Sequence, residues 1–229
     1  MPSIDVDQDL IDAAKAGDAG KARDLLADGA DPRSQESLAL RVAAKNGHVG
    51  CVKLLLRVSD PKAEECHALR LAALYGHAEC LRLLLPASDP KANESYALKL
   101  AARNGHAECV RLLLSMSSAK RDESAALLCA VENGHVECVR LLREASPPLI
   151  EIDGLLDEAL DSGKAEVAAM LIGEEPRLID GVDLPKCIAV AMENGRVNMA
   201  AYLSSIMEQK ELFGVVPHQP ASSRGAARL

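Results

Sequence analysis

The sequence predicts an all-α solenoid of about seven helix-turn-helix repeats. Three observations carry that expectation. A Gly-His pair recurs at Gly47-His48, Gly76-His77, Gly105-His106 and Gly134-His135, each step being 29 residues. Self-similarity at a period of about 20–50 residues marks a stacked repeat array. The stretch Ser95 to Leu114, SYALKLAARNGHAECVRLLL, reads as helix, tight turn, helix, and recurs as Ser37 to Leu56, Cys66 to Leu85 and Ser124 to Arg143. Finally, 48% of the residues are apolar, yet there is one Phe, three Tyr, no Trp and no Thr. A core built from Leu, Ala and Val on that composition suits short helices and disfavours sheet.

Taken in order, residues 4–34 form a first repeat that is more polar than the next ones, with Asp5, Asp7, Asp9, Asp12, Lys15, Asp18, Lys21, Arg23 and Asp24, as a solvated end cap requires. Asp7 is the expected cap of its inner helix, Gly17-Asp18 its turn, and Gly29 its terminator. Repeats two to five cover about 35–63, 64–92, 93–121 and 122–150. Their inner helices open on Ser37, Cys66, Ser95 and Ser124, three of them good N-caps. Paired alanines (Ala43-Ala44, Ala72-Ala73, Ala101-Ala102) allow close helix approach, and the outer helices repeat the pattern of Cys109 to Leu114. Pro32, Pro61, Pro90 and Pro147 fall in the links, where a helix cannot continue. Repeats six (about 151–182) and seven (about 183–213) keep the pattern around Gly163 and Gly195 but drift in sequence. Together 4–213 reads as a single repeat domain. The tail 214–229, with two Pro and no periodicity, reads as disordered.

At Leu98-Lys99-Leu100-Ala101-Ala102-Arg103-Asn104-Gly105-His106 and onward to Val110 and Leu112-Leu113-Leu114, the chain resembles the ankyrin-repeat family. Gly29-Ala30-Asp31-Pro32 resembles that family's repeat ending. The resemblance covers about 4–213 and departs in one respect. The period is 29 rather than about 33, and the missing residues fall between Asp89-Pro90-Lys91-Ala92 and Tyr96-Ala97-Leu98. The expectation is therefore an ankyrin-like solenoid with trimmed fingers, short loops standing where the family has a β-hairpin. The resemblance further implies that each turn His tethers its neighbour by hydrogen bonds. It also implies that the two residues before each turn Gly face a concave, partner-binding surface.

Those concave positions are Lys45-Asn46, Leu74-Tyr75, Arg103-Asn104, Glu132-Asn133, Asp161-Ser162 and Glu193-Asn194. One helical turn earlier come Arg41, Arg70, Lys99, Leu128 and Asp157. Both rows run from basic to acidic. The candidate partner-binding residues are Arg41, Lys45, Arg70, Leu74, Tyr75, Lys99 and Arg103. The cations would steer an acidic segment, and Leu74 with Tyr75 would supply buried contact. Two rival readings stand beside this one: chance variation at one repeat, and pairing of the cations within the chain to Glu36, Glu65 and Glu94.

Other patterns read as structure. Cys51, Cys80, Cys109 and Cys138 sit at the 29-residue step in an apolar place on the outer helix. Neighbouring helices at about 8–10 Å are too far apart for disulfides. No Cys, His or carboxylate set has metal-ligand or catalytic spacing, so neither enzyme activity, nor a metal, nor a cofactor is expected. A net charge of −8 argues against nucleic acid, and no stretch approaches the ~20 apolar residues of a membrane helix. The N-terminal residues show no signal peptide, and the seven Cys suit a reducing compartment. The expected function is protein–protein recognition by a cytoplasmic, monomeric adaptor or scaffold. The alternatives are a microbial effector or inhibitor delivered into a host cell, and a structural spacer.

Overall fold

The structure, a computed structural model, describes residues 5–87, 94–116, 123–145 and 152–213. The trimmed-finger segment Asp89 to Ala92, Pro147, the Ser95 cap side chain, the Glu94 side chain and the tail 214–229 lie outside the described residues. The described residues are helical with no strand among them. The chain divides into two compact units, one of residues 1–130 with 137–147 and the other of 131–136 with 148–229.

In the first unit, inner helices α1 (Val6–Ala16), α3 (Ser34–Lys45), α5 (Ala63–Leu74) and α7 (Glu94–Arg103) pack in succession. Outer helices α2 (Ala19–Ala27), α4 (Val49–Leu55), α6 (Ala78–Leu84) and α8 (Ala107–Met116) form the parallel row, with α9 (Glu123–Asn133) and α10 (Val136–Ala145) following. The paired alanines of α3, α5 and α7 are fully buried, so the inner helices meet on small side chains. Leu55, Leu81, Leu84 and Leu113 fill the space between inner and outer helices. At the 29-residue step, Cys51, Cys80, Cys109 and Cys138 are buried free thiols on the outer row. Burial above all pushes the thiols of Cys80, Cys109 and Cys138 up to about 11, with Glu79, Glu108 and Glu137 adding to it.

Each inner helix ends on a turn glycine in the left-handed region. At Gly47 (φ 74) the Gly47 N–H donates to Ala44 O and the His48 N–H to Ala43 O. This double bond pattern closes the last carbonyls of the helix. Gly29 (φ 96) ends α2 in the same way, as its place in the sequence predicts. The histidines then tie the repeats together. His48 Nε2 lies 3.0 Å from Lys15 O, His77 Nε2 2.9 Å from Lys45 O, and His106 Nε2 3.0 Å from Leu74 O. Each ring satisfies a C-terminal carbonyl of the preceding inner helix.

The links correct two sequence expectations. Asp5, not Asp7, caps α1 by accepting from the Gln8 N–H. Asp7 Oδ1 instead accepts from the Asp31 N–H at 2.7 Å, tying the first link to α1. Nor does Ser37 act as a helix cap. It is buried, and its Oγ accepts from the Asp60 N–H at 3.0 Å, while the Ser59 Oγ donates to Pro32 O at 3.1 Å. Asp31 and Asp60 each accept from the N–H two residues on, the Asx turn that Asp-Pro favours. Between link and helix the backbone is left-handed at Gln35, Glu36 and Ser37, and again at Glu64, Glu65 and Cys66 (φ 46 to 60). In the first two links an Asx turn and a left-handed turn thus stand where the family has its hairpin finger, with buried Ser37 and Ser59 bonding one link to the other.

In the second unit α11 (Ile152–Asp161) packs on α12 (Ala165–Glu174), and α13 (Leu184–Glu193) on α14 (Val197–Phe213). A 3-10 segment, Pro176–Gly181, packs on α12, and Asp183 caps α13 by accepting from the Lys186 N–H. Leu155, Leu156, Val167, Leu171, Ile172 and Leu203 make its core.

Candidate functional site

The inner face of the first unit gathers the sequence candidates into two groups. Arg41 and Arg70 lie one turn before the last residues, Lys45 and Leu74, of their helices and are largely covered. Arg41 Nη1 is 2.9 Å from Glu64 and 3.8 Å from Glu36. Arg70 pairs with Glu65 at 3.7 Å and donates to Glu64 O at 3.1 Å. The intramolecular pairing weighed from sequence is therefore present for both. Glu64 also takes His67 Nδ1 at 2.7 Å. Hydrogen bonds from Glu36 and His67, with the Arg41 charge, hold Glu64 down at about 2. The same contact with Glu64 pushes Glu36 up.

The second group is more exposed to solvent. Leu74 is half-buried, Tyr75 is 45% exposed, and Lys99 and Arg103 are exposed. The Lys45 ammonium sits 5.6 Å from the centre of the Tyr75 ring. Beside them runs a groove of about 270 Å³ lined by His67, Arg70, Leu71, Leu74, Tyr96 and Leu100. Tyr96, 50% exposed, is its largest apolar wall, and the Arg70 guanidinium lies 5.8 Å from its ring centre. Cation–ring contacts of this kind hold a ring in place while leaving its far face open.

Tyr96 was missed in the sequence, although a signal existed. It stands at the 29-residue step with Leu38, His67 and Ala125, a third variable row next to those of Arg70 and Leu74.

A family model described as ankyrin repeats (3 copies) matches residues 10–95 and 87–152, more than half the chain. The chain belongs to the ankyrin-repeat family. A search of curated proteins gives no match. Ankyrin repeats are in general protein–protein interaction modules, and the tethered turns and paired helices described above are that scaffold in a shortened form. The second unit keeps the ankyrin turn but changes its tether. Lys164 and Arg196 occupy the positions of the turn histidines. The Lys164 stem lies over Gly134, the Arg196 stem over Gly163, and the Arg196 head donates to Asp161 O and Leu160 O. At Arg196 a long cation thus satisfies the carbonyls that a His serves in the first unit.

No helix among the described residues is long and apolar enough to cross a membrane, and none of their His, Cys, Asp and Glu residues form a group of three able to hold a metal ion.

Proposed function

We propose that the first unit is a non-catalytic recognition module that captures an acidic segment of a partner protein on its inner-helix face. One observation carries this reading. Tyr75 and Tyr96 are the exposed large apolar side chains of α3, α5 and α7, and half-buried Leu74 and the exposed cations Lys45, Lys99 and Arg103 lie on the same three helices. Tyr and Arg are enriched among the residues that dominate interface binding energy. Carboxylate partners hold Arg41 and Arg70 largely covered, and Arg70 orients Tyr96. The steering charge is assigned to the side chains that reach solvent, those of Lys45, Lys99 and Arg103. The setting is a protein that works as an adaptor in the cytoplasm, as a monomer.

The test is affinity capture from a cell lysate with the wild-type chain and with Leu74→Asp/Tyr75→Ala, read by mass spectrometry. A partner held by wild type and lost by the double variant, with an acidic segment that competes as a peptide, supports the reading. Equal capture by both proteins sinks it.

A further inference from the structure

We propose that the second unit carries a separate docking site of opposite sign, which takes a Lys or Arg side chain from a basic segment of a partner protein. A cavity of about 380 Å³ opens among α11, residues 181–183, α13 and α14. Its size falls at the lower end of ligand pockets, about 300–1,000 Å³, room for a long side chain and part of its neighbour. Leu160, Met199 and Leu203 form the floor, the last two fully buried, with Val190 beside them. The exposed carboxylates of Asp157, Asp161 and Asp183 stand at the rim.

These three carboxylates converge. After burial itself, the charges of Asp183, Asp161 and Asp157 all push up the thiol of Cys187, which lines the same cavity. Two cations share the wall. Arg196 is already committed, its head held on the carbonyls of Leu160 and Asp161. Lys186 is exposed and partly offsets the acids at Cys187. The balance remains negative, three carboxylates against two cations. Moreover, Asp157 and Asp161 are one helical turn apart on α11, a like-charge spacing that opposes the helix. An incoming cation relieves it.

The repeat register adds a second line of argument. Asp157 and Asp161 stand at the 29-residue positions occupied by Arg41 and Lys45, Arg70 and Leu74, and Lys99 and Arg103 in the first unit. The variable rows thus change sign while the scaffold continues, and the chain presents two chemically distinct reading surfaces. The occupant follows from the layering of the cavity. An apolar floor beneath acidic groups suits a side chain with an aliphatic stem and a cationic end. A flanking apolar residue of the same segment would cover Val190. A free polyamine has the charges but brings no apolar flank, which favours the peptide.

Cys187 provides the readout, since the other six thiols are buried. The intact protein would be treated with iodoacetamide, and single alkylation at Cys187 followed by mass. The probes are a short peptide alternating leucine with lysine, the same peptide with glutamate for lysine, and spermine. We expect the lysine peptide to slow alkylation at least fivefold and the glutamate peptide to leave it unchanged. In Asp157→Asn/Asp161→Asn, whose exposed substitutions leave the core intact, the protection should disappear while the melting temperature holds. Unchanged alkylation under saturating lysine peptide overturns the proposal. So does equal protection in the double Asn variant, or protection by spermine equal to that by the peptide. Leu74→Asp/Tyr75→Ala should keep the protection, so failure of this site and failure of the first-unit site can be told apart.

Discussion

A Cβ placed on Gly47 would lie 2.5 Å from His77 Nδ1, inside any real contact, on a backbone at φ 74. Gly29 has a comparable left-handed backbone with nothing within 4 Å. The two positions separate conformational from steric cost. Gly29→Ala should lose about 1–2 kcal/mol for the left-handed alanine alone. Gly47→Ala should lose at least about 1 kcal/mol more, because the ring must move and its bond to Lys45 O is broken. Urea unfolding measures both. In a His77→Ala background the excess at Gly47 should vanish, and an unchanged cost there would refute the packing account. The Glu36–Glu64 pair gives a prediction with a sign. Glu64 is depressed to about 2, so its contribution is present above the usual carboxylate value and is lost as pH falls toward 2. Glu36 is raised, so its protonated form is the favoured one, and that stabilisation is lost as pH rises through its folded value. Glu36→Gln, whose amide cannot ionise, should therefore gain melting temperature relative to wild type as pH rises from the ordinary carboxylate range. A relative loss over that rise would contradict the sign.

At the scale of helices, the inner and outer rows are held by different means. Inner helices meet on buried alanines, so contact distance is set by the smallest side chain. Ala72→Leu should cost about 1–3 kcal/mol by forcing α5 away from its neighbours. Outer helices carry a charge ladder: Glu79 to Arg82 at 3.5 Å, Arg82 to Glu108 at 3.9 Å, Glu108 to Arg111 at 3.8 Å, and Arg111 to Glu137 at 4.0 Å. Its within-helix pairs are readable from an i to i+3 spacing. Its rungs between repeats are not, because they depend on the stacking offset. All are about half exposed, where ion pairs contribute about 0–1 kcal/mol. Glu108→Gln removes two contacts yet should shift urea stability by under about 0.5 kcal/mol. A loss like that of Ala72→Leu would mean that the ladder, not the alanine seam, sets the stacking. The links show what periodicity hides. A Ser before an apolar run reads as an N-cap, yet Ser37 faces Asp60 of the next link, because a left-handed turn rotates it away from its own helix.

For the whole molecule, the 29-residue Gly-His step made the helix pairs, the turns and the tethering histidines legible, since each depends only on neighbouring repeats. The candidate binding face was legible only in part. Leu74 and Tyr75 stood out as departures from a polar row, but Tyr96 needed the fold to place it across the groove from Leu74. Arg41 and Arg70 looked like steering charges, and only the left-handed turns bring Glu64 and Glu65 onto them. The proposed reading of acidic segments by the first unit, on a chain of net charge −8, is testable through that redistribution. Attraction by the exposed Lys99 and Arg103 is screened within a Debye length, about 10 Å at 0.1 M salt. Contacts with Leu74, Tyr75 and Tyr96 are not. Binding of an acidic peptide obtained from the captured partner should therefore weaken several-fold between 50 and 500 mM salt. Lys99→Gln/Arg103→Gln should flatten that dependence and lower the association rate. Leu74→Asp/Tyr75→Ala should raise the dissociation rate while leaving the salt slope of association in place. Arg41→Gln should leave the slope unchanged, since Glu64 already neutralises that guanidinium. If Arg41→Gln flattens the slope as much as the Lys99 and Arg103 pair does, Arg41 is available to the partner, and the division of labour between the two groups of cations is wrong.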